Sequence, residues 1–95
     1  MGVNNIGFQD TLGVLSNSVS RSILDLLKTE RMSAGEIAEK LNMTPAATSY
    51  HLAKLKKAEL VYETKYKNFI YYEIDLSVLD DVVLWINNLK GEKQK

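Results

Sequence analysis

The 95-residue chain has no cysteine, one histidine and one proline. Without cysteine there are neither disulfides nor thiolate metal ligands, and His51 alone cannot anchor a multi-histidine centre. Zinc and redox chemistry have little to work with, and no metal or other cofactor is expected. No apolar run approaches the roughly 18 residues that suggest a membrane span, and the N-terminus lacks the basic-then-apolar pattern of a secretory leader. A cytoplasmic location is the expectation. Charge of one sign is not in excess either, because twelve basic and twelve acidic side chains cancel. What is present is an apolar fraction of 45%, ordinary for a globular fold, in a length that suits one domain over residues 1–95.

The zero net charge conceals an uneven distribution. Residues 1–43 hold four basic against five acidic side chains and residues 69–95 three against five, whereas residues 44–68 hold five lysines against two glutamates, a net +3. A local cationic segment of this kind suits a polyanionic partner. Its meaning depends on the elements that carry it.

Between Ile6 and Leu15, Phe8, Leu12 and Leu15 share one helical stripe, interrupted by Gly7 and Gly13. Ser16 to Ser18 break and cap the chain, after which Val19, Ile23, Leu24, Leu26 and Leu27 fall on one side of a second helix. Ser33 followed three residues later by Glu36 is a capping box that opens a third helix, about Ala34 to Leu41. Thr44 caps a fourth, with Pro45 in its first turn, where the missing amide hydrogen costs nothing. Only Asn42 and Met43 separate these two helices, which forces a sharp crossing.

At 100° per residue the fourth helix buries Thr48, Leu52 and Leu55, with His51 and Ala58 alongside, and turns Ala46, Ser49, Tyr50, Ala53 and Lys57 outward. That outward face is small near its start and basic near its end. Such a surface allows close approach to base edges, followed by phosphate contact. From Leu60 to Lys65 and from Phe69 to Ile74 the residues become β-branched and aromatic with period two, with Ile70, Tyr72 and Ile74 expected inward. Tyr66 to Asn68 link them, with Asn68 suited to positive φ and Lys65 and Lys67 projecting from the tip. Ser77 caps a last helix in which Val78, Leu79, Val82, Val83, Trp85, Ile86 and Leu89 cover about 160°. An apolar arc that wide exceeds what one small core needs, so part of it should meet a second subunit. The alternative is that this helix simply covers the domain's own core.

These residues resemble the ArsR-type winged-helix repressors. LGVLSNSVSRSILDLL is similar to that family's second-helix signature, usually L-S-D-P-T-R-x-x-I-L-x-x-L. SAGEIAEKLNMTPAATSYHLAKLKKAELV is similar to its helix-turn-helix, with Ser49, His51, Leu52 and Leu55 on S-x-H-L-x-x-L, and FIYYEI to its returning wing strand. The likeness spans about residues 8 to 89. It implies a mostly α (α+β) winged helix-turn-helix of five helices, with a two-stranded β-hairpin wing between the fourth and fifth. It also implies a homodimeric repressor on double-stranded DNA, and it carries base-facing positions onto Pro45, Ala46, Ser49 and Tyr50 and a basic wing position onto Lys65. With Thr44, Lys54, Lys57 and Lys67 these make the expected DNA-contact set. The expected dimer interface comprises Phe8, Leu12, Leu79, Val82, Val83, Trp85, Ile86 and Leu89, from the first and last helices.

Several positions depart from the pattern. Ser18 stands in place of the usual proline, Ser20 in place of a frequent arginine and Lys67 in place of the wing glycine. ERMSAGEIA contains no Cys-x-Cys, and the last helix offers only Asp80 and Asp81 as metal ligands. The chain is more similar to the metal-independent autorepressor branch, whose members can be inactivated by binding a membrane partner, and that resemblance implies a protein effector.

Rival readings are weaker. His51 flanks the buried stripe, where packing and a helix hydrogen bond account for it. Ser49 lies two residues away and faces elsewhere, so the two form no nucleophile and base pair. Asp80 and Asp81 suit the first turn of a helix for dipole reasons alone. Tyr66, Tyr71 and Tyr72 could form a stacking platform for single strands, yet aromatics favour strands in general. No acid, base and nucleophile converge, which argues against an enzyme. A winged helix used for protein contact without DNA is the remaining alternative.

Overall fold

The computed structural model describes residues 5–91, with side chains from Gln9 onward. The chain runs α1 (Asn5–Leu15), α2 (Ser18–Leu27), β1 (Met32–Ser33), α3 (Ala34–Leu41), α4 (Pro45–Lys57), β2 (Val61–Tyr66), β3 (Phe69–Ile74) and α5 (Ser77–Gly91). Five helices and the hairpin between α4 and α5 are as expected. The sheet has one more strand than the sequence suggested: β1 pairs with the free edge of β3, giving an antiparallel order β1-β3-β2.

Helix boundaries follow explicit caps. Asn17 starts α2, its side-chain oxygen accepting from the Ser20 amide at 3.0 Å. The Ser33–Glu36 box is reciprocal, with the Glu36 amide donating to Ser33 Oγ at 3.2 Å and the Ser33 amide to Glu36 Oε1 at 2.9 Å. The α3–α4 turn is closed by Asn42 in the left-handed region (φ 56°, ψ 49°), a conformation asparagine tolerates better than most residues. Thr44 Oγ1 accepts from the Ala47 amide at 3.0 Å, so Thr44→Ala should lower stability by about 1 kcal/mol in a denaturant melt. At α5 the expected cap is corrected. The Ser77 amide donates to Asp75 Oδ1 at 3.0 Å, so Asp75 supplies the side-chain oxygen and Ser77 is already helical.

The core lies where α2, α3 and α4 meet the base of the sheet. Ile23, Leu24 and Leu27 of α2 pack with Ile37 of α3, Leu52 and Leu55 of α4, and Met32, Leu60 and Val61 at the strand ends. Thr48 is buried in the same stripe and donates to the Thr44 carbonyl at 2.9 Å, so its hydroxyl enters the core satisfied. Thr11 is also buried, and its hydroxyl donates to the Ala58 carbonyl at 3.2 Å, joining α1 to the end of α4.

Two features of the hairpin differ from expectation. Tyr66 pairs with Phe69, leaving a two-residue loop, and positive φ falls on Lys67 (φ 58°) rather than on Asn68. Two-residue hairpins place φ above zero at the first loop position because the right-handed strand twist demands it. Lysine is poorly suited to that region, so Lys67→Gly should stabilise the fold by up to about 1 kcal/mol, a rise of several degrees in thermal midpoint. Ile70 was expected inward, but it is 47% exposed near the tip, while Tyr72 and Ile74 on the same face are half-buried. Alternation sets the side of a strand; the core simply ends before reaching Ile70.

The radius of gyration is 14.9 Å and the long axis 51 Å, whereas a compact chain of this length would have a radius near 12 Å. The extension comes from projecting elements. Along α5, Val82 is buried and Leu79 packs against the core, but Val83, Leu84, Trp85, Ile86 and Leu89 are exposed. One apolar stripe thus serves the protomer's own core for its first turns and continues past it.

Candidate nucleic-acid interface

The α3–α4 pair fixes one surface of the molecule. Because Thr48, Leu52 and Leu55 are pinned in the core, the opposite side of α4 must face outward. Thr44, Pro45, Ala46, Ser49, Tyr50, Lys54 and Lys57 are all exposed, Tyr50 to 59%. The face begins with small side chains and ends in lysines, as its angular spacing implied. Lys54 Nζ lies 5.4 Å from the centre of the Tyr50 ring, a cation–π arrangement that holds both side chains over the middle of the helix.

Lys56 behaves differently from its neighbours. Its ammonium lies 3.2 Å from the Glu63 carboxylate on β2, tying the end of α4 to the base of the hairpin. Glu63 also accepts from the Tyr72 hydroxyl at 3.2 Å. Burial, with the Glu63 charge behind it, pushes the Tyr72 phenol up, so it stays protonated and donates. On the other face of the sheet Glu73 accepts from Thr64, at 2.6 Å, and from Tyr62, at 3.4 Å. The Glu73 charge, followed by burial, raises the Tyr62 phenol as well. These contacts stiffen the hairpin and fix its direction relative to α4.

At the far end of the hairpin Lys65 and Lys67 are exposed, and Lys67 Nζ lies 5.3 Å from the Tyr66 ring. Sequence reasoning missed a third cation there. The Arg31 guanidinium stacks 4.6 Å from the Tyr71 ring centre and 5.5 Å from that of Tyr66. No spacing rule connects position 31 with positions 66 and 71; the β1–β3 pairing brings them together. The three tyrosines set aside as a stacking platform are divided between the faces of the sheet: Tyr66 and Tyr71 carry Arg31, and Tyr72 lies on the opposite face, packed against the core and bonded to Glu63. Arg21 is used internally, donating to the Leu15 carbonyl at 2.8 Å and closing the end of α1.

The residues expected at a subunit interface divide along α5. Leu12, Val83, Trp85, Ile86 and Leu89 are exposed, while Leu79 and Val82 are taken up by the protomer's own core. Leu84, which lies outside the predicted arc, is 60% exposed. The side chain of Phe8 lies outside the described residues. His51 makes no helix hydrogen bond through Nδ1, contrary to expectation; that atom is buried without a partner, and Tyr50 packs edge-on against the ring at 5.3 Å.

Two crossed helices, a cation-ended outer face and a stiff basic hairpin beside it define a winged helix-turn-helix DNA-binding domain. The family model of the helix-turn-helix domain matches residues 15–63. The transcriptional repressor SdpR of Bacillus subtilis is 42% identical over 82% of this chain and 89% of its own length. The arsenical resistance operon repressor of Staphylococcus aureus is 30% identical over 88% of this chain and 81% of its own. The chain belongs to the ArsR-type winged helix-turn-helix transcriptional repressors, and it is a DNA-binding transcriptional regulator. Among solved structures, the homodimeric winged helix-turn-helix DNA-binding domain of Mb0332 from Mycobacterium bovis aligns with a TM-score of 0.71 at 26% identity, over 90% of this chain and 83% of that one. These likenesses do not favour the protein-contact alternative. Among the described residues, no helix is long and apolar enough to cross a membrane.

Proposed function

We propose that residues 1–95 form a single domain that acts as a homodimer, joined through α1 and the outer half of α5, and represses its own or a neighbouring operon. Two copies of α4 enter successive major grooves of an inverted repeat, roughly one helical turn apart, while the wings reach flanking backbone or minor groove. Ser49 and Tyr50 read base edges, Ala46 touches thymine methyl groups, and Thr44 and Pro45 bring the start of the helix close to the duplex. Lys54, Lys57, Lys65 and Lys67 supply affinity that is blind to sequence. The protein works in the cytoplasm, has no enzymatic role and responds without a metal; the absence of cysteine and the single histidine support the last point.

One observation carries this reading: the exposed, cation-ended side of α4 occurs in the same protomer as an exposed apolar stretch, Val83 to Leu89, that extends beyond the core. The homodimeric state of the Mb0332 domain supports the pairing, and the repressor role of SdpR supports the outcome. A mobility-shift assay on the DNA upstream of the protein's own gene tests it. A complex displaced by the same unlabelled fragment and not by random DNA is the expected result. Equal displacement by both would remove sequence-specific repression at that site.

A further inference from the structure

Between α1, the start of α2 and α4 lies an open cleft of about 310 Å³. Its walls include Asp10 and Gly13 from α1, Asn17 at the α2 cap, and Tyr50, His51 and Lys54 from α4. The cleft thus shares two side chains with the proposed DNA face. His51 forms part of its wall, and the Nδ1 atom of that ring is buried without a partner.

The chemistry of the walls limits what fits. One carboxylate, Asp10, and one ammonium, Lys54, line the same space with two amides, Gln9 and Asn17, and an imidazole. A single cation is poor provision for a nucleotide's phosphates, and no group of three His, Cys, Asp or Glu side chains among the described residues is placed to hold a metal. At about 30 Å³ per water-sized unit, the volume accepts on the order of ten heavy atoms. Charges of both signs, neutral hydrogen-bonding groups and that size match a molecule with its own ammonium and carboxylate.

We infer that this cleft binds a free amino acid or a close zwitterionic analogue, and that its occupation weakens DNA binding. The ligand carboxylate pairs with Lys54 and its ammonium with Asp10, beside the His51 ring. The coupling is local. Lys54 is drawn from phosphate toward the cleft, and the His51 ring, against which Tyr50 rests edge-on at 82°, is held in one orientation. Since the ligand and DNA compete for the same two side chains, each lowers the affinity of the other by the same factor. The regulatory half of this inference rests on the DNA-binding reading above; the binding half does not.

His51 is the only histidine in the chain, so its imidazole NMR signals report on the cleft without ambiguity. The 95-residue chain, free of DNA, is titrated with each standard amino acid to millimolar concentration, and operator affinity is then measured with and without any that bind. At least one should move the ring signals and raise the DNA Kd by about fivefold or more. Asp10→Asn should abolish the ring shift while leaving DNA affinity in the absence of amino acid intact. Gly13→Leu provides a second route, because Gly13 lines the cleft and a Cβ added there meets nothing within 4 Å, in a helix that favours leucine over glycine. Ring signals unmoved by every amino acid, or moved equally in both variants, would overturn the site. A ring shift with unchanged DNA affinity would overturn the coupling. Failure of the unaltered protein to bind DNA at all would instead count against the repressor reading and leave the ring titration to decide the site.

Discussion

Replacing Ile86 with aspartate should convert the protein into a folded monomer and lower its operator affinity by at least about a hundredfold. Ile86 is 42% exposed and outside the core cluster, so the protomer loses little, within roughly 0.5 kcal/mol by melting. In a two-fold interface each substitution counts twice, because the same patch lies on both subunits. A carboxylate buried there without a partner costs several kcal/mol per copy, and every 1.4 kcal/mol is tenfold in an equilibrium constant. Once the subunits separate, each α4 binds a half-site alone. Asn87→Asp is the control, since it adds the same charge on the same helix outside the apolar arc. Sedimentation should give a monomer for Ile86→Asp and a dimer for the control. An unaltered protein that sediments as a monomer at micromolar concentration would end the two-site geometry, whatever the variant does.

The elements that could be read from the sequence are those whose ends are written in side-chain chemistry. Ser33 with Glu36 and Thr44 with Pro45 set the starts of α3 and α4, because each cap satisfies backbone amides that have no partner within the helix. The outward face of α4 followed from the same angular argument, since three buried positions leave the others no choice. What escaped the sequence depends on distant partners. β1 is two residues long and exists only because β3 has a free edge for Met32 and Ser33. Arg31 joins the wing through that pairing, so no local pattern announces it.

Depth was harder to read than direction. Periodicity put Tyr72 and Ile74 on the core side of β3 and Leu79 and Val82 on the core side of α5, but Ile70 and the outer half of α5 lie beyond the point where the protomer's core ends. The same limit explains Lys67. Asparagine's tolerance of positive φ pointed to Asn68, whereas the Tyr66–Phe69 register places the left-handed residue one position earlier. His51 illustrates a third kind of gap: its position beside the buried stripe was legible, but that one ring nitrogen would be buried without a partner was not.

Removal of both wing lysines, Lys65→Ala with Lys67→Ala, should flatten the salt dependence of DNA binding more than any other pair of surface changes. Each phosphate contact contributes a slope of about 0.9 in log Kobs against log salt, so two contacts from each of two protomers contribute roughly 3 to 4. At about 0.1 M salt each lost contact then weakens binding by nearly tenfold. Preference for the operator over random DNA should hardly change, because lysines at a hairpin tip meet phosphate while Ser49 and Tyr50 meet bases. The slope should not vanish. Lys54 and Lys57 remain on α4, and Arg31 stays stacked on Tyr71, which is anchored in the sheet and independent of the tip. Lys28→Ala supplies the comparison, since Lys28 lies at the end of α2 beside Asp25 at 3.7 Å and belongs to neither α4 nor the hairpin. If the double variant keeps the slope of the unaltered protein, the hairpin does not touch DNA and α4 must carry the electrostatic attraction alone. A slope lowered together with operator preference would mean that the tip reads sequence as well as charge.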